Sequence, residues 1–351
     1  MATLKVADII AALSELPLAE LLQLEKAVTL AVRNAASATV VDTADRPPCP
    51  FCTTGNPKQW GRSGTDRRWR CRACGKTWTP VSGTPLAYAK KRPELIEAAR
   101  DMVAVTPLSC RELGEHLDVH HMTAWRWRLK ILRSVADFGE AGLSGLVEAD
   151  ETFFRESRKG SREWVRHAGG MEPSPPRPRW RDHERLKLPL PRGLSRWQIP
   201  VLVLRDRQGK TVARRLASLK FASFVPVLDG SLATDALLCT DAAAVYRRWA
   251  KTRNRVIEQI NARKGVRVRG GVFHIQNANA YHSRFKDFMK PFRGPSARHL
   301  KLYVGWMAFR DAMKGKDVGR NPLISRLLGM KRCRDETRVA RPKVRSPLDR
   351  G

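Results

Sequence analysis

Residues 146–154 read Leu-Val-Glu-Ala-Asp-Glu-Thr-Phe-Phe. An apolar stretch of this length reads as a β-strand, yet it carries three carboxylates. Placing Asp or Glu inside such a strand is costly unless the group is paired or holds a metal. Side-chain alternation puts Glu148, Asp150 and Thr152 on one face and Ala149, Glu151 and Phe153 on the other. A further carboxylate, Asp241, follows a second apolar run, Ala233 to Cys239. The carboxyl end of a strand, next to a helix start, is where ligands gather in open α/β sheets. A lone Asp there is usually a helix cap. Paired with the acids of 146–154 on a neighbouring strand, it points to a two-metal phosphodiester site.

The texture around these runs is α/β. Ile199 to Arg205 and Thr211 to Leu216 read as strands, with Asp206-Arg207-Gln208-Gly209 as a hairpin turn between them. Ala242 to about Thr252 reads as a helix. These elements define a catalytic domain over 145–313. An insertion over 155–196 interrupts it, with twelve Lys or Arg, five acids and six prolines. Its composition predicts irregular structure lying against DNA. Residues 314–351 hold twelve bases and four acids and read as a basic tail.

Upstream, residues 90–138 read as a helix-turn-helix DNA-binding domain. Ser109 and Glu112 form a capping box on a helix that runs to Leu117. Asp118-Val119 makes the turn, and a second helix spans His120 to Leu132. A second helix of this kind enters the major groove. His121, Thr123, Arg126 and Lys130 are expected on its DNA-facing side, with Met122, Trp125, Leu129 and Leu132 on the inner side.

Residues 45–86 contain Cys49-Pro-Phe-Cys52 and, after 18 intervening residues, Cys71-Arg-Ala-Cys74. Two such knuckles supply four thiolates, two per tight turn, and match a structural zinc ribbon with every ligand position filled by protein. A redox Cys-x-x-Cys would need only one pair. Gly75 suits the backbone of the second knuckle. Arg67 and Arg68, with Arg62 and Arg70, make the ribbon basic and mark it for DNA contact. Trp60, Trp69 and Trp78 are expected to form its small core. Residues 1–44 carry apolar residues at helical spacing, broken by Pro17, and read as a helical hairpin for packing or dimerisation.

The chain has 351 residues, with 66 Lys or Arg against 34 Asp or Glu, a net charge of +32 at pH 7. Such a surplus is the footprint of a polyanionic partner, and nucleic acid fits it best. No apolar run approaches the roughly 18 residues of a membrane span. Asp8 and Glu15 interrupt the start where a secretory leader would be apolar. Seven cysteines, four of them in tight pairs, fit a reducing compartment. A cytoplasmic, nucleoid-associated protein without a membrane partner is expected.

The order of these parts resembles the bacterial insertion-sequence transposases of the DDE type that bear an N-terminal zinc ribbon. The resemblance runs over most of 45–313. It is carried by Val-Glu-Ala-Asp-Glu-Thr-Phe, Cys-Thr-Asp, the stretch from His274 to Lys286 and Arg298-His-Leu-Lys-Leu-Tyr-Val-Gly-Trp306. It implies a multidomain α+β chain whose catalytic domain is ribonuclease-H-like. Asp150 matches the first catalytic aspartate and Asp241 the second. The third position, usually a glutamate seven residues before a lysine, falls on Asn279, with Lys286 at the lysine. An amide oxygen can ligate Mg²⁺ but brings no negative charge. Glu151 either assists the metal or holds the strand end, and His274 and His282 are expected to face DNA or to be structural. The resemblance further implies two Mg²⁺ ions (Mn²⁺ as a substitute) held by Asp150, Asp241 and Asn279. Lys286 would hold a phosphate. It implies cleavage at the terminal inverted repeats, strand transfer into target DNA, and a homodimer or larger assembly on double-stranded DNA. The competing expectation is a transposase-derived DNA-binding regulator without catalysis.

Overall fold

The computed structural model describes residues 12–13, 16–41, 48–64, 66–87, 89–139, 142–171, 174, 197–261, 264–315 and 322–329. The chain divides into two compact units, 1–128 with 319–351 and 129–318.

In the first unit, α1 (Leu18–Val41) begins directly after Pro17, as predicted. Most of the hairpin's first helix lies outside the described residues. Three short strands follow, β1 (Lys58–Ser63), β2 (Asp66–Arg70) and β3 (Thr77–Trp78), in one antiparallel sheet of that order. Its two cysteine knuckles are built alike. Thr53 N–H donates to Cys49 O and Gly75 N–H to Cys71 O. Both donors sit at positive φ, 58° and 70°. Glycine adopts that conformation freely, and Thr53 takes it in the first knuckle against its own preference.

The helix α2 (Arg92–Asp101) starts with Pro93 in its first turn, where a missing N–H costs nothing. Next comes α3 (Cys110–His116), with the predicted capping box of Ser109 and Glu112 in place. A turn through Asp118, at φ 49°, leads into α4 (His121–Arg133). The inner face of α4 departs from expectation. Met122 is 40% exposed, Trp125 is half-buried, and Ala124, Arg128, Leu129, Ile131 and Leu132 are buried instead. An Arg among them is tolerated because Arg128 pairs with Asp101 at 3.5 Å and donates to Leu108 O.

The second unit is built on a five-stranded sheet: β4 (Leu146–Arg155), β5 (Gln198–Asp206), β6 (Thr211–Arg215), β7 (Leu237–Asp241) and β8 (Ile257–Ile260), in the order β6-β5-β4-β7-β8. The β4–β5–β6 meander is antiparallel, while β7 and β8 run parallel to β4. Between β4 and β5 lies α5 (Glu163–Ala168). The start of the insertion is therefore structured: Ala297 N–H donates to Ser157 O, and Ser157 Oγ donates to Gly294 O. Residues 175–196 lie outside the described residues.

One face of the sheet is covered by α6 (Phe221–Ser231) and α7 (Ala244–Arg253), whose Phe224, Leu228, Tyr246 and Trp249 pack on Val147, Ala149, Leu202 and Leu204. Burial of each such side chain stabilises by about 1.5–3 kcal/mol. On the other face, α8 (Gln276–Met289) packs on β4 and β5, and α9 (Leu300–Met313) on β6. The second strand predicted by sequence is shifted: β7 starts at Leu237 because Leu232 bridges to Leu143 and a turn intervenes. Asp241 is thus the last residue of β7 rather than the residue beyond it, and α7 starts at Ala244. The basic tail also departs from expectation. Part of it forms α10 (Pro322–Gly329), which buries Leu323, Ile324 and Leu327 and packs on α2 in the first unit. Among the described residues, no helix is long and apolar enough to cross a membrane.

Candidate active site

The parallel ladder between β4 and β7 ends with Ala149 opposite Thr240. Just beyond that last pair, Asp150, Glu151 and Asp241 converge, each with a carboxylate oxygen within 4.8 Å of the others. The alternation read from sequence holds. Asp150 faces α8, where His282 Nδ1 lies 3.6 Å from Asp150 Oδ2. Glu151 faces α7, where the buried Tyr246 hydroxyl donates to Glu151 Oε1. Asp241 Oδ1 accepts from the Ala243 N–H at 3.0 Å, so it also caps the approach to α7.

Burial, with the neighbouring Asp241 charge in support, pushes the Asp150 carboxyl up to about 6, against the Glu151 N–H and Lys286, which lower it. Burial likewise raises Glu151 to about 7, with Asp150 and Asp241 adding to the rise and the Tyr246 hydrogen bond opposing it. Three acids forced together in this way form a hard-oxygen donor set suited to Mg²⁺ or Mn²⁺, and a bound cation would relieve their repulsion. Burial lowers His282 to about 4, with Lys286 acting in the same direction, so its ring is neutral. Asn279 is exposed on α8, three residues before His282 and seven before Lys286. These positions share one helical face.

The residue two before Asp150 was visible in the sequence, but its partners were not. Glu148 is fully buried. It pairs with Arg207 at 2.8 Å, lies 3.3 Å from His274, and accepts from Asn277 Nδ2 and from the Ala278 N–H. His274 therefore contacts both Glu148 and Arg207. Tyr246 and Arg207 carried no sequence signal, because each acts through a contact made across the fold.

In the ribbon, Cys49 and Cys74 sulfurs stand 3.7 Å apart and Cys52 and Cys71 sulfurs 3.5 Å, and all four fall within 4.8 Å. Tetrahedral zinc with Zn–S near 2.3 Å requires S···S separations of about 3.8 Å, so the thiol set fits zinc. Trp69 and Trp78 form the ribbon's core with Cys49 and Cys71. Trp60 does not. It is 43% exposed on β1, with Arg70 4.6 Å and Lys58 5.8 Å from its ring. Beside it opens a cleft of about 610 Å³ lined by Lys58, Gln59, Arg67 and Arg72 among others. Arg68, His121, Arg126 and Lys286 are exposed, while Arg67, Thr123 and Lys130 are half-buried.

Residues 142–311 match the ISXO2-like transposase domain family. Over that stretch the chain is similar to insertion-sequence transposases of the DDE type. The converging acids all lie within the matched residues. A relative, an uncharacterized protein in transposable element ISH50 of Halobacterium salinarum, is 24% identical over 281 residues, covering 78% of this chain and 86% of the relative. A pre-cleavage Mos1 transpososome crystal structure aligns at 10% identity over 67% of this chain and 77% of its own. Its TM-score of 0.23 is too low to bear on the transposase domain's fold.

Proposed function

We propose that the chain is an active, metal-dependent DNA transposase of ribonuclease-H-like fold. The observation that carries this reading is the convergence of Asp150, Glu151 and Asp241 at the end of β7. Asp150 and Asp241 would hold two Mg²⁺ or Mn²⁺ ions, with Glu151 as a third carboxylate and Asn279 as a neutral oxygen donor. When bound, such ions activate water at neutral pH and stabilise the leaving oxygen of phosphodiester cleavage. The residues around them position the DNA. Lys286, exposed on the face of α8 that bears Asn279, holds a phosphate. Neutral His282 keeps Asp150 in place without adding charge. Hydrolysis at the element's end frees a 3′-hydroxyl, which attacks target DNA, and no covalent enzyme–DNA bond forms.

The structural zinc ribbon and the α3–α4 helix pair would bind the terminal inverted repeats through Arg67, Arg68, His121, Thr123, Arg126 and Lys130. Joining two ends at one target calls for a homodimer or larger assembly, acting in the cytoplasm on the nucleoid. The second reading, a DNA-binding regulator without catalysis, draws on the amide at Asn279.

Incubating the full chain with Mg²⁺ or Mn²⁺ and a labelled DNA end tests the reading. Cleaved and joined products are expected from the wild type, and none from Asp150→Ala or Asp241→Ala with DNA binding intact. A wild type that binds DNA but cleaves no more than Asp150→Ala would leave only the regulator.

A further inference from the structure

The helix α8 carries two residues of the proposed site, Asn279 and Lys286, yet its N-cap residue does not cap it. Ile275 stands at its N-cap and makes no side-chain bond to the first turn. The free N–H groups of a first turn need acceptors, and a carboxylate there is favoured by the helix dipole. His274 Nδ1 accepts from the Gln276 N–H at 3.3 Å, and a further acceptor comes from another element. Glu148 of β4 is fully buried, and its Oε2 accepts from the Ala278 N–H at 2.9 Å. Its Oε1 accepts from Asn277 Nδ2 at 2.8 Å and pairs with Arg207 Nη1 at 2.8 Å. Arg207 thus balances the charge and both carboxylate oxygens have donors, which is what makes a buried carboxylate tolerable in a strand.

We infer that Glu148 is a positioning residue, capping α8 from across the domain and so setting Asn279 against Asp150. The inference rests on the transposase reading for its functional consequence, and on geometry alone for the cap. Glu148 and Asp150 are two residues apart on one face of β4, about 7 Å along the strand. Ala278, which Glu148 grips, directly precedes Asn279. One side chain thus fixes the register between the strand that bears the first aspartate and the helix that bears the third position.

Glu148→Gln keeps the shape and removes the charge, and Asn277→Ala removes one donor without burying a new group. Amide exchange in the full chain reads the cap. Amides of Asn279 to His282 should exchange about tenfold faster in Glu148→Gln while those of β5 stay protected, with a smaller change of the same pattern in Asn277→Ala. Unchanged α8 exchange in both variants overturns the proposal, and so does equal loosening of α8 and β5. Cleavage gives the functional half. Glu148→Gln should lower the rate about tenfold, as loss of one charge-assisted hydrogen bond predicts. It should cost nothing further in an Asn279→Ala background, because the two act as a unit. Independent, multiplying losses would show that Glu148 does not work through Asn279. A wild type that cleaves no DNA would remove the transposase reading, while the exchange pattern would still decide the cap.

Discussion

Asp150 and Glu151 are neighbours on β4 that face opposite sides of the sheet, and burial raises both carboxyls, to about 6 and about 7. Their unfolded values are near 3.8 and 4.5. A carboxyl raised on folding adds stability at low pH, and that contribution is lost as pH climbs through the folded value. Between about pH 4 and 7 the metal-free protein should therefore lose melting temperature relative to the Asp150→Asn/Glu151→Gln variant. Calorimetric melts of the two across that range check this, and a constant difference would contradict the raised values. Divalent cations should reverse the loss, because they bind only the ionised acids. At pH 6, Mn²⁺ binding should release protons, which titration calorimetry in two buffers of different ionisation enthalpy detects. Binding without proton release would mean that these acids are already ionised.

Among the elements, the ribbon and the helix pair are held in different ways. The ribbon buries little beyond Trp69, Trp78 and its cysteines, so a zinc ion on its four thiols would supply its stability, roughly 10–16 kcal/mol for zinc in small domains. Removing zinc by chelation, or introducing Cys71→Ser, should unfold β1–β3 and leave the far-ultraviolet signal of the transposase domain in place. A chelated protein that keeps the ribbon's amide protection would refute a structural metal. The helix pair depends on close approach instead. A Cβ on Gly114 would sit 2.7 Å from Val119 O and 3.1 Å from His121 Cα, both backbone atoms. Gly114→Ala should cost about 1–3 kcal/mol and weaken DNA binding by displacing α4, while cleavage of DNA at saturating concentration persists. Denaturant melts and binding isotherms of the variant test both halves.

At the scale of the whole molecule, the net charge of +32 dominates. A chain that neutralises about 6–10 phosphates should lose about 10³–10⁵ in DNA affinity between 50 and 200 mM salt. Filter binding or anisotropy across that range gives the slope. A nearly flat dependence would show that the surplus charge serves something other than the DNA backbone. The apolar side chains Leu22, Val28 and Leu30 of α1 are exposed.

Local chemistry made much of this legible before any fold was known. Two Cys-x-x-Cys turns determine a four-thiol site on their own, because each ligand pair is a property of one tight turn. The capping box of Ser109 and Glu112 and the start of α1 after Pro17 are likewise nearest-neighbour effects. The acids of 146–154 declared themselves by their cost in an apolar strand, and alternation assigned their faces correctly. What the sequence could not decide depends on which elements meet. Leu146–Arg155 reads as a strand unaided, but only tertiary structure sets Tyr246 on Glu151, His282 beside Asp150, and α8 on Glu148. The same holds for Arg128, whose burial needs Asp101, and for Trp60, left outside a core that Trp69 and Trp78 fill. Backbone propensity and alternation act over a few residues and can be read along the chain. The desolvation and pairing of charged groups act through space, so the tertiary fold decides them.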